Sequence, residues 1–167
     1  MYATTALNAH TLAQSGYTQR STSPAAQLYA HSDRRSWSAK IKSIFAGRAE
    51  GLVSLNSVLA RSAASSSRFA GVQKVSISQI RGTSSVGRGQ DFDADFNLLN
   101  PRNEARWLSV AAAWQQGKLP PVSLIQVGDS YFVQDGHHRI SVVRAAGQEE
   151  IEAEVIVLEL EAVGSRQ

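Results

Sequence analysis

The sequence predicts an α+β fold: a small mixed-sheet α/β domain over residues 71–160, preceded by a helical segment at 28–70. Three observations carry this expectation. Apolar residues alternate with polar ones around Val75-Ser76-Ile77 and along Ile151-Glu152-Ala153-Glu154-Val155, the period of half-buried strands. Between these runs stand two stretches with helix punctuation, one opening at Asn100-Pro101 and closing at Gly117, the other running from His137 to Gly147,. A strand, a Gly-Asp turn and a second strand fill the interval at 122–133, which is the pattern of a hairpin.

Taken in order, residues 1–27 are rich in Ser, Thr, Ala and Gln and contain no acids, so they are expected to be poorly ordered. A basic amphipathic helix follows, with Trp37, Ile41, Ile44 and Phe45 on one face and Arg34, Arg35, Lys40, Lys42 and Arg48 mostly elsewhere,. A second short helix is expected from about Ser54 to Ala63, then a Ser/Ala-rich linker to Gly71,. The first strand of the domain runs from Val72 to Ile80 and is expected to stop at the breaker Gly82,. Residues 83–99 form a long Gly/Ser/Asp loop, and loops of that length are commonly functional. Asn100 caps the next helix with Pro101 in its first position, and Trp107, Val110, Ala111 and Trp114 make its apolar stripe,. Strands at Val122–Val127 and Tyr131–Val133 flank Gly128-Asp129, a helix spans His137–Ala146, and a last strand covers Ile151–Val157, leaving 161–167 as a tail.

Composition narrows the function. The 167 residues include no cysteine, which removes disulfides, thiolate nucleophiles and Cys-ligated zinc, and fits a reducing, cytoplasmic setting. No run of apolar residues is long enough to span a membrane,. Residues 1–70 hold eight Lys/Arg against two acids, whereas 71–167 hold nine against twelve. The mildly acidic second half argues against a broad nucleic-acid footprint there, and any DNA contact belongs to the basic N-terminal segment.

The chemistry concentrates at Asp135-Gly136-His137-His138-Arg139. A glycine where a strand meets a helix lets a ligand approach the backbone. The first amides of the helix then point outward unpaired, an anion site by geometry and by dipole. Gly136, His137, His138 and Arg139 are therefore candidate phosphate-binding residues, with Asp135 as a cap, a histidine-orienting group or a metal ligand. Arg88 in the long loop and Arg106 in the Pro101 helix are further phosphate candidates, and Arg102 shares their position. Asp91 and Asp93 of the loop, with His137, are the candidate catalytic groups for general-base work. Adjacent His137 and His138 diverge around a helix axis and are poor joint ligands, so no protein-only metal site is assigned.

The run Tyr131-Phe132-Val133-Gln134-Asp135-Gly136-His137-His138-Arg139-Ile140 through Ala145-Ala146-Gly147, preceded by Val75–Ile80, Trp114–Gly117 and Leu119–Ile125, resembles the ParB/sulfiredoxin-like domain over about residues 72–160. The resemblance implies a mixed-sheet domain that binds ATP or CTP, with or without Mg²⁺, with the phosphates at the Gly-x-x-Arg turn. Gly136, His138 and Arg139 match the phosphate-binding positions, and His137 stands where some relatives have cysteine or arginine. In this family the turn serves CTP hydrolysis in partition proteins, ATP-dependent sulfinic acid reduction in sulfiredoxins, and phosphoryl transfer in free-serine kinases. Sulfiredoxin chemistry needs a cysteine, and there is none. Partition proteins continue into a DNA-binding domain, and here only Glu161–Gln167 follow the last strand. The expectation is a nucleotide-binding protein, either a phosphotransferase or hydrolase or a binder without turnover. The rivals are a non-enzymatic DNA-associated regulator using the basic N-terminal segment, and a metal-dependent nuclease.

Overall fold

The structure, a computed structural model, describes residues 23–30, 32, 51–60 and 62–162. The elements are α1 (residues 24–30), β1 (Val53–Ser54), α2 (Leu55–Leu59), β2 (Ser62–Ser76), β3 (Ile80–Thr83), α3 (Glu104–Gln115), β4 (Val122–Val127), β5 (Ser130–Asp135), α4 (His137–Ala145) and β6 (Glu150–Ala162). Among the described residues six strands form one mixed sheet in the order β1-β3-β5-β4-β6-β2. Pairs β1–β3, β3–β5 and β4–β6 are parallel, and β4–β5 and β2–β6 are antiparallel. This is the predicted α+β class.

The apolar stripes of α3 and α4 close over the sheet in a single core. Trp107 and Ala111 of α3, Ile140 and Val142 of α4, and Val122, Leu124, Val133 and Val155 of the strands are all fully buried. The Trp107 indole N–H donates to the Ser141 hydroxyl at 2.8 Å, so the largest core side chain also satisfies its polar atom. Tyr29 of α1 meets Trp107 edge to face, with ring centroids 5.5 Å apart.

Several elements differ from expectation, each for a physical reason. Residues 24–27, expected to be poorly ordered, lie in α1, where the Ser23 hydroxyl caps the Ala26 amide and Pro24 occupies the first turn,. The Ser/Ala-rich stretch read as a linker is the first half of β2, because β6 offers an antiparallel partner from Ser62↔Ala162 to Ser76↔Glu150. A partner ladder satisfies the backbone of residues with little strand propensity of their own. The helix expected from Ser54 to Ala63 is accordingly confined to Leu55–Leu59. Ile77–Gln79 is a 3-10 turn between β2 and β3, and Gly82, expected to break the strand, pairs inside β3 with Val53 and Phe132. Asn100 does cap, but it caps a 3-10 turn at Pro101–Asn103 that precedes α3. The amphipathic stretch containing Trp37 and Phe45 lies outside the described residues, as do residues 1–22 and 163–167.

Candidate functional site

The β5-to-α4 turn is built as the sequence predicts. Gly136 has φ +105° and is the residue before the helix. A Cβ there would lie 2.5 Å from Val122 Cγ1 and 2.9 Å from Val122 Cβ, so both backbone conformation and packing require glycine. Having no side chain, Gly136 caps nothing. Ile140 N–H is the first to bond back, reaching the Gly136 carbonyl at 3.0 Å. The amides of His137, His138 and Arg139 therefore have no partner within the helix.

These residues line a cavity of about 210 Å³ together with Ser85, Arg88, Arg106, Val110, Gln134 and Asp135. The fold thus gathers seven of the nine predicted site residues around one space. It arrives there from three directions: the loop after β3, the first turns of α3, and the end of β5 with the head of α4.

The two histidines are buried, His137 at 6% and His138 at 5% relative exposure. Phe92 of the loop lies against both: its ring stacks on His137 at 5.8 Å between centroids and meets His138 edge-on at 5.1 Å. Burial pulls both imidazoles down to about 4, with Arg88 opposing a charge on His137 and Arg106 and Arg88 opposing one on His138,. Both are neutral at physiological pH. His137 Nε2 shares a 2.8 Å hydrogen bond with the Thr83 hydroxyl, which also accepts the Ser85 amide at 2.9 Å and has the Val133 carbonyl at 3.2 Å. All three valences of the hydroxyl are filled when Nε2 carries the ring proton. His138 Nε2, by contrast, is buried without a hydrogen-bond partner among the described residues.

The cations divide into two kinds. Arg139 donates to the carbonyls of Pro120 and Pro121 and to the Asp135 carboxylate, so it clamps the β4 entry to the β5 exit. Asp135 neither caps α4 nor touches a histidine through a hydrogen bond; it pairs with Arg139. Arg106 is exposed, and among the described residues it has no hydrogen bond or ion pair. Arg88 has one long ion pair, 3.6 Å to Asp91.

The long loop has two halves with different work. Its first half borders the cavity through Ser85 and Arg88, with Asp91 behind Arg88 and outside the lining. Its second half is a tight return in which Phe92 pairs with Leu98, and Phe92 and Phe96 are buried at 0% and 1%. There Asp93 accepts the Asp95 and Asn97 amides and the Asn97 side-chain amide at 2.8–2.9 Å. Burial raises the Asp93 pKa despite those bonds. Asp93 does not line the cavity, and its oxygens hold the loop. Asp91 accepts from the Asn100 side chain at 3.2 Å and lies beside Arg88. Arg102 is exposed and outside the cavity lining.

Ser85, Gln134 and Val110 also line the cavity and Thr83 bonds to His137, and of these Gln134 and Val110 carry no local signal for the site. Ser85 and Thr83 do sit in the Thr-Ser-Ser run at the loop's start, the one hint available from sequence. Among the described residues no three His, Asp or Glu side chains converge as a metal-ligand set, and no helix is long and apolar enough to cross a membrane.

No family model matches the chain, and no curated protein does. Among solved structures it is similar to the crystal structure of sulfiredoxin from Arabidopsis thaliana, at 18% identity and a TM-score of 0.37, over 50% of this chain and 82% of that one.

Proposed function

We propose that the cavity at the head of α4 binds the phosphate groups of a nucleotide of the ATP or CTP type. The observation that carries the reading is that His138, whose buried Nε2 has no partner among the described residues, lines the cavity as one of three residues whose helix amides have no partner within the helix. A buried polar atom without a partner costs about 1–3 kcal/mol, and a ligand oxygen recovers that cost. An anion also suits the amides and the dipole at a helix N-terminus.

Arg106 and Arg88 supply the positive charge, since neither is fully committed within the protein. Arg139 contributes indirectly, holding the turn in place through the Pro120 and Pro121 carbonyls. The neutral histidines act as hydrogen-bond groups, because a pKa of about 4 leaves them poor proton carriers near neutrality,. Where turnover occurs, as phosphotransfer or hydrolysis, the candidate carboxylate to take the proton from an attacking hydroxyl is Asp91, which pairs with the cavity-lining Arg88. Asp135, which lines the cavity, is the carboxylate available to a Mg²⁺ brought in with the phosphates,.

Isothermal titration of the full chain with ATP, CTP and tripolyphosphate, with and without Mg²⁺, tests the reading. Binding tighter than millimolar, weakened at least ~10-fold by Arg106→Gln, is the expected result. Failure of every one of these ligands to bind in that range rejects it.

A further inference from the structure

At the mouth of the same cavity the chain makes a β-turn from Ser85 to Arg88, closed by the Arg88 N–H on the Ser85 carbonyl at 3.4 Å. Gly87, in its third position, has φ +82°, as a type II turn requires. Val86, in the second position, is 91% exposed, more than Phe69 at 68% or Val72 at 57%.

This turn is pinned at both ends. The Ser84 amide bonds to the Val133 carbonyl at 2.9 Å and the Ser85 hydroxyl to the Gln134 carbonyl at 2.6 Å. On the other side the Gly89 carbonyl accepts the Leu52 amide at 3.0 Å. Ser85 and Arg88 both line the cavity, so Val86, itself outside the lining, is held on the turn between two lining residues.

Size adds the second half of the argument. A cavity of about 210 Å³ is below the ~300–1,000 Å³ that encloses a drug-sized ligand. With phosphates against the α4 amides, the organic part of a nucleotide has to leave through the mouth. The lining is polar apart from Val110 and Gly136, so an apolar surface for that organic part has to come from the rim.

We infer that Val86 is a specificity-determining contact that packs against the nucleoside of a ligand whose phosphates fill the cavity, favouring nucleotides over inorganic polyphosphate. The inference rests on the phosphate reading above. It assigns the turn a task that the protein alone does not explain, since an exposed valine gains stability only when apolar surface covers it.

Full-length chain and a Val86→Ser variant titrated with ATP, CTP and tripolyphosphate test it. Val86→Ser weakens at least one nucleotide about five-fold while tripolyphosphate binding changes by less than about two-fold, and Val86→Leu preserves or tightens nucleotide binding. Unchanged nucleotide affinity, or an equal loss for tripolyphosphate, overturns the inference and leaves the phosphate reading standing. If the unaltered chain binds neither nucleotides nor tripolyphosphate, both are overturned together.

Discussion

The hydroxyl of Thr83, the last residue of β3, lies 2.8 Å from Nε2 of His137, the first residue of α4, with both side chains buried. This hydrogen bond ties the start of the loop that borders the cavity to the helix that heads it, alongside the Arg144–Asp95 ion pair farther along both. Thr83→Val keeps the shape and removes the partner, leaving the imidazole and the Ser85 amide unsatisfied. The expected cost is about 1–3 kcal/mol, read as a lower urea midpoint with unchanged slope. A midpoint equal to that of the unaltered chain contradicts the role given to this bond.

The burial of the two histidines makes stability depend on pH. Folded, they take up protons only near pH 4, whereas in the unfolded chain they do so near 6.5. Stability from their neutral state is therefore complete above pH 6.5 and is lost as pH falls toward 4. The displacement corresponds to roughly 3 kcal/mol per histidine at most. Urea denaturation between pH 7 and 4 is expected to slope downward, less steeply in His137→Asn; a flat profile is incompatible with the buried pair.

Gly136→Ala is expected to destabilise by roughly 2–4 kcal/mol, because it adds left-handed strain to a clash with Val122,. Thermal melting measures it. An alanine variant as stable as the parent shows that the turn is looser than described.

Arg106 and Arg139 border one cavity and are predicted to fail differently. Arg139→Gln breaks the clamp on Pro120, Pro121 and Asp135, so its first effect is a stability loss of about 1–3 kcal/mol. Arg106→Gln removes an exposed side chain and is expected to change stability by less than about 0.5 kcal/mol while weakening phosphate binding. Parallel melting and titration curves separate the two; equal stability losses in both variants reject the division.

In the core, Ser141→Ala removes the acceptor of the Trp107 indole and is expected to cost about 1 kcal/mol, against about 3–5 kcal/mol for Trp107→Ala. Chemical denaturation of the two variants checks the ordering.

What the chain settles by itself is what short-range physics can write. Gly136 at a strand-to-helix turn, the Gly128-Asp129 hairpin and the Gly117 and Gly147 stops act within a few residues, and the elements they delimit stand where expected, while the Asn100-Pro101 start opens a 3-10 turn that leads into α3. Arg88, Arg106 and the Asp135–Arg139 run are candidates by residue chemistry, and it is the fold that brings them around one cavity. The tertiary structure alone decides what depends on distant partners. Residues 62–70 become a strand only because β6, some ninety positions later, supplies their ladder. Arg139 turns from candidate ligand to clamp because Pro120 and Pro121 present their carbonyls to it, and Asp93 is occupied by Asn97. Hydrogen bonds are saturable, so a polar side chain's task is set by whichever partner reaches it first, and the linear order of residues does not say which that is.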